Sequence, residues 1–246
     1  MFKLAFPNPE WMMGLPLANH MTFFKPADTP DGDHVARKYT PVSPLNQKGS
    51  IDFVIKCYPC TEEFPEGGKL GHFLKDKQVG DKILMEGPIG RMTYKGNGNI
   101  VIKQRENRRV TKIGLLAGGS GLTPMYSVMN AIYLGKDSTV TQVHMLYSNK
   151  TEEDILMRDA LDAINADESA PHIKVTHTLT RATSDPANDA ANVKRGRVDE
   201  AMIDALEGWP EPSDETLIAM CGPKSFNDAC KVMLFKKGYT ADMIYP

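Results

Sequence analysis

Hydrophobic and polar positions alternate over short runs in the first part of the chain. Residues 2–6, 20–24, 37–43, 51–58, 82–87 and 99–103 read as strands, because apolar or β-branched residues recur at every second position. Turn-forming residues separate them: Asn8-Pro9, Pro30-Asp31-Gly32, Lys48-Gly49, Gly67-Gly68 and Gly96-Asn97-Gly98. Only 69–75 has helical character here. Many short strands around one short helix predict a small antiparallel β-barrel.

The rhythm changes near residue 110. An apolar run at 112–117 and the segments 142–147, 173–179 and 217–221 read as strands. Segments 123–134, 199–206 and 224–237 read as helices, the last ended by Gly238. Thr151 with Asp154 forms a helix-start pattern, and Ile155, Leu156, Ala160, Leu161 and Ile164 follow at helical spacing. Strand and helix alternate, which predicts an α/β domain with a parallel sheet covered on both faces. The stretch 182–197 is polar and reads as a surface loop. The charged run Arg105-Glu106-Asn107-Arg108-Arg109 places the domain boundary, giving domains 1–108 and 109–246.

Composition narrows the function classes. At 246 residues with 41% hydrophobic and 24% charged positions, the chain can bury a core without staples. A net charge of −2 gives no global attraction to nucleic acid. No apolar run is long enough to span a membrane, and the first residues do not form a signal peptide. Of the four cysteines, Cys57 and Cys60 form a C-x-x-C. No second pair and no histidine pair at ligand spacing accompanies them, and they close a strand-like run rather than open a helix. The expectation is therefore reduced thiols, no metal and a cytoplasmic protein.

Four constellations carry candidate chemistry. Gly118-Gly119-Ser120-Gly121-Leu122-Thr123-Pro124 joins a strand to a helix. Glycines permit close approach to a ligand, and the helix start offers unpaired amides. Its sixth position counted from Gly119 is Pro124, which departs from the dinucleotide fingerprint, so a phosphate turn and a plain tight turn both fit. Arg37-Lys38-Tyr39-Thr40-Pro41-Val42-Ser43 offers an arginine fork and, two residues on, a ring for stacking on a flat heterocycle. Gly67-Gly68-Lys69-Leu70-Gly71 is a second glycine turn into a helix, and Cys221-Gly222-Pro223 ends the last apolar strand.

In this order, these motifs are similar to those of the cytochrome b5 reductase family, within the wider ferredoxin–NADP reductase superfamily. The likeness runs through 37–43, 51–58, 67–74, Gly87-Pro88-Ile89-Gly90, 118–124, 151–158 and Cys221-Gly222-Pro223. The flavin domain of eukaryotic nitrate reductase shares the plan. The resemblance implies a barrel that holds FAD and an α/β domain that holds NADH, with NADPH as a possible donor. Arg37 is implied at the FAD diphosphate, Tyr39 along the flavin, Thr40 at the ring, and Pro41 as a further FAD contact. Ile55 and Tyr58 are implied at the adenine and ribityl side. Gly68, Lys69, Leu70 and Gly71 are implied as amide donors to the diphosphate. Thr123 is implied to face the flavin. Gly119, Ser120, Gly121, Thr180, Arg181, Cys221, Gly222 and Pro223 are implied at the nicotinamide nucleotide, and Thr40, Thr123 and Cys221 nearest the reacting atoms.

The implied activity takes a hydride from NAD(P)H onto FAD and passes electrons singly to a heme protein such as cytochrome b5. Lys38, Lys69 and Lys95 are candidates for steering that partner, although each taken singly reads more readily as ordinary solvated surface. Two rivals share the motifs: the reductase portion of a nitrate reductase, and a nucleotide-binding module without turnover. Departures from the family pattern are Gly71 where serine is usual and Thr180 where aspartate is usual. Both ends look short, so a membrane-attaching segment absent from this chain is compatible with the reading, and Tyr245 is a candidate for the family's terminal aromatic.

Overall fold

A computed structural model describes residues 1–27, 34–62, 64–103, 107–188 and 190–246. The expected turn Pro30-Asp31-Gly32 and the Arg105-Glu106 part of the charged run lie outside the described residues. The chain forms two compact units, Met1–Arg91 and Met92–Pro246.

The first unit contains β1 (Phe2–Ala5), β2 (His20–Lys25), β3 (Val35–Tyr39), β4 (Ser50–Phe53), the short helix α1 (Lys69–Lys75) and β5 (Leu84–Ile89). β1 pairs antiparallel with β4, and β2 lies between β3 and β5, antiparallel to both. Phe23 anchors the core. Its ring meets Phe53 edge-on at 4.8 Å and Tyr39 at 5.2 Å, geometries favoured by the aromatic quadrupole. Leu15, Met21, Ile51, Ile55, Leu70 and Leu74 complete the cluster.

The second unit opens with β6 (Met92–Tyr94), β7 (Asn99–Ile102) and β8 (Arg108–Arg109), an antiparallel sheet. β9 (Lys112–Gly118), α2 (Leu122–Gly135), β10 (Gln142–Asn149), α3 (Arg158–Ala166), β11 (Ile173–Leu179), β12 (Val193–Arg195), α4 (Glu200–Asp204), β13 (Thr216–Cys221), α5 (Lys224–Lys236) and β14 (Ile244–Tyr245) follow. The sheet is parallel throughout, in the order β12-β11-β10-β9-β13-β14. The chain builds outward from β9 through β10 to β12, then returns to β9's other side with β13. The sheet order therefore reverses between β9 and β13, and this is where open α/β sheets receive ligands, beyond the strand carboxyl ends.

Several expectations shift. The strand expected over 37–43 is β3, which ends at Tyr39. Pro41 has no amide to add to a ladder, and Val42 N instead donates to Asp52 O at 2.9 Å. The strand expected over 51–58 ends at Phe53. Ile155 and Leu156 precede α3 rather than begin it. Thr151 and Asp154 cap only a single 3-10 turn, and Met157, at φ 56°, interrupts the helix before Arg158. The polar stretch 182–197 carries β12, a short edge strand. Among the described residues the antiparallel strands form sheets of two, three and three strands, without a ladder closing them into one ring.

Candidate cofactor-binding sites

In the first unit, β3 carries Arg37 into solvent. Its Nη1–H reaches back to the Ala36 carbonyl at 2.8 Å, and the residue is exposed. Tyr39 is half-buried, and burial raises its pKa against the opposing pull of Arg37, so the hydroxyl keeps its proton and can donate. Thr40 and Pro41 are buried beyond the strand end.

The lead into α1 packs against the segment after Ile55. Gly68 N donates to Tyr58 O at 2.9 Å, and His72 Nε2 lies 2.9 Å from the same oxygen. A Cβ at Gly67 would stand 3.0 Å from that oxygen, and one at Gly68 3.4 Å from Tyr58 Cβ. Gly67, at φ +58°, thus admits a backbone that a side chain would strain, whereas the contact at Gly68 is an ordinary one. The Gly68 amide is engaged, so the first-turn donors without a partner inside the helix are those of Lys69, which is exposed, and of Leu70 and Gly71, which are buried. Lys69 pairs with Glu66 at 2.9 Å, both exposed, while Lys38 and Lys95 are exposed. Ile55 is buried and the Tyr58 ring is exposed.

In the second unit, the turns after β9 and β13 come together backbone to backbone. A Cβ at Gly121 would stand 2.1 Å from Cys221 O, and one at Gly222 would stand 3.2 Å from Gly118 Cα. Gly119 adopts φ +54°, and a Cβ there would meet nothing within 4 Å. The turn is therefore closed on one side and open on the other, a cradle above Gly119 at the position where the sheet order reverses. Ser120 and Pro223 are exposed beside it, and Gly222 is half-buried. Thr123 is buried in the first turn of α2. Burial pushes the Cys221 thiol up, which keeps it neutral, a soft wall rather than a nucleophile.

Sequence reasoning did not find Tyr147, which braces this cradle, or a polar tie among the loops after β10 and β11. Tyr147 Oη donates to Gly119 O at 3.1 Å and accepts from Leu156 N at 3.3 Å. Glu152 accepts from Thr183 N and Oγ1, at 3.3 and 3.2 Å, and from Ser184 Oγ. The Ser184 bond holds the Glu152 carboxyl down at about 2, so it is an anion at neutral pH. Arg195 Nη2 closes the tie on Ser184 O at 2.8 Å. The guanidinium of Arg195 is thereby engaged, whereas Thr180 and Arg181 are exposed past the end of β11. Their amides bond Asn149 O and Lys150 O at 3.0 and 2.7 Å. The only sequence signal for the tie was the acidic run after Thr151 and the Thr/Ser pair in the loop.

Comparison with known proteins gives the family. An oxidoreductase FAD-binding domain matches residues 1–94, and an oxidoreductase NAD-binding domain matches 115–231. NADH-cytochrome b5 reductase 3 of Rattus norvegicus is 37% identical over 229 residues, covering 90% of this chain and 72% of its own. The chain belongs to the NADH-cytochrome b5 reductase family. The crystal structure of the cytochrome b5 reductase domain of Ulva prolifera nitrate reductase superposes with a TM-score of 0.88 at 33% identity, covering 100% of this chain and 90% of that one. Nitrate reductase [NADPH] of Aspergillus niger is 34% identical over 97% of this chain, which spans 26% of that protein. Membership supports the expected fold class and the pairing of FAD with NADH. Among the described residues no helix is long and apolar enough to cross a membrane.

Proposed function

We propose that the chain is an NADH-dependent FAD reductase that passes electrons to a heme protein of the cytochrome b5 kind. Residues 1–108 are assigned to FAD and 109–246 to the nicotinamide nucleotide. FAD, when bound, accepts a hydride from NADH and gives its electrons up singly, so the protein needs no general acid.

The residues bind and orient. Arg37 is aimed to fork onto the FAD diphosphate, with the amides of Lys69, Leu70 and Gly71 as further donors. Tyr39 offers a ring and a retained proton. Thr40, Pro41, Ile55 and Tyr58 complete the flavin set. The open side of Gly119, with Ser120, Gly121, Cys221, Gly222 and Pro223, receives the nicotinamide end. Thr180 and Arg181 bear on the far ribose, where Arg181 makes NADPH a second donor.

One observation carries the reading: the backbone contact of Gly121 on Cys221 beside an open Gly119, at the sheet's point of reversal. Purified protein supplied with FAD should turn yellow, oxidise NADH, and reduce cytochrome b5 in the same mixture. Flavin uptake without any heme reduction would move the assignment to another acceptor, and the nitrate reductase portion is the second reading because of the domain likeness at a TM-score of 0.88.

A further inference from the structure

The segment Cys57-Tyr58-Pro59-Cys60 does more than bound the flavin set. Cys57 Sγ–H donates to Gly71 O at 3.5 Å, inside the sulfur hydrogen-bond range. A Cβ at Gly71 would stand 3.3 Å from Cys57 Cα and 3.6 Å from its Sγ, so a side chain at 71 and the thiol would compete for one space. Three residues on, a Cβ at Gly67 would stand 3.1 Å from Cys60 N. Cys57 therefore packs on the first turn of α1 at Gly71 and Cys60 on its lead at Gly67, and Tyr58 O between them receives the Gly68 amide. Cys60 is exposed, Cys57 is half-buried, and both are free thiols.

We propose that Cys57 and Cys60 form a reversible dithiol–disulfide site whose oxidation loosens the α1 lead and with it the hold on the FAD diphosphate. The flavin consequence rests on the assignment of the first unit to FAD. The oxidant is a low-molecular-weight disulfide. Exposed Cys60 attacks one of its sulfurs, forming a mixed disulfide and releasing one thiol. Cys57 then attacks the Cys60 sulfur and expels the second thiol. Two protein thiols lose two electrons and two protons, and the external disulfide becomes two thiols. The product sulfur of Cys57 has no S–H, so Gly71 O loses the thiol as a donor and keeps only its helical partner. Drawing Cys57 and Cys60 to disulfide geometry also re-aims the Tyr58 carbonyl between them.

The test uses the whole chain, reduced and then treated with glutathione disulfide. Peptide mass locates any 57–60 disulfide. Flavin retention is read by absorbance after gel filtration, and amide exchange at Gly68 and His72 by mass spectrometry with and without FAD. The expected result is a 57–60 disulfide, faster exchange at Gly68, and FAD held about tenfold more weakly, the scale of one lost hydrogen bond. C60S should keep its flavin through the same treatment. Absence of the disulfide, or its presence with unchanged exchange and retention, overturns the proposal. A reduced protein that never takes up FAD defeats the flavin assignment instead. Exchange at Gly68, which needs no flavin, then decides whether oxidation loosens the lead.

Discussion

Gly121 and Cys221 are in direct backbone contact: a Cβ on the first would stand 2.1 Å from the carbonyl oxygen of the second. The atom it would meet is main chain, so no rotamer change relieves the overlap. Gly121→Ala should therefore lower stability by about 1–3 kcal/mol, the usual cost of overpacking, and cripple NADH oxidation. Gly119→Ala is the contrast. Its Cβ would enter open space, and its φ of +54° carries only the left-handed penalty of about 1–2 kcal/mol. Urea unfolding and NADH affinity measured on both variants check this. G119A should fold better than it binds, because the added methyl points where the ligand is placed.

Arg37 carries the flavin diphosphate in this account. Arg37→Ala should weaken FAD retention about 10- to 100-fold, the range for a lost charged hydrogen bond, with the circular dichroism spectrum unchanged. Arg37→Lys keeps the charge and loses the fork, and should fall between. Equilibrium dialysis of the apoprotein against FAD gives the numbers.

In the proposed reading, donor choice is set past the end of β11, where Thr180 and Arg181 are exposed. Thr180→Asp should raise the preference for NADH over NADPH about tenfold by repelling the extra phosphate. Arg181→Ala should lower NADPH turnover and leave NADH turnover nearly unchanged. The ratio of kcat/KM for the two donors is the readout.

His144 gives the second unit a pH signature. It is buried, and Nε2 lies 2.9 Å from Thr176 Oγ1. Burial, the largest cause, lowers its pKa from 6.5 to about 4, against the pull of the Gly208 and Glu207 backbone. The unfolded chain thus takes up a proton below pH 6.5 that the native state refuses until about pH 4. Stability from this group is intact above the window and falls as pH drops through it, by about 3 kcal/mol in full. H144Q cannot titrate, so its urea midpoint should depend less on pH between 7 and 4 than that of the natural chain.

The parts of the site that side-chain identity dictates were legible in the sequence. The apolar run at β9 and the segment at β13 announced parallel strands, and the glycines and Cys221 at their ends announced the cradle. Parts that depend on where a carbonyl points were not. Nothing in the residue types says that Tyr58 O takes the Gly68 amide, or that Cys57 leans on Gly71 O. The Glu152–Ser184–Arg195 tie joins residues far apart in the chain, and only the folded backbone brings them together. Ile155 and Leu156 had helical spacing, but the left-handed Met157 outweighed it. Spacing marks which residues face a core and says little about where a helix begins.

The central claim is that this chain binds FAD and reduces it with NADH. An anaerobic titration of the FAD-supplied, gel-filtered protein with NADH tests it most directly. The account predicts a bound flavin spectrum that bleaches in proportion to added NADH and regains its colour when oxidised cytochrome b5 is mixed in. A protein that emerges colourless from the column, or a bound flavin that NADH leaves unbleached, would contradict it.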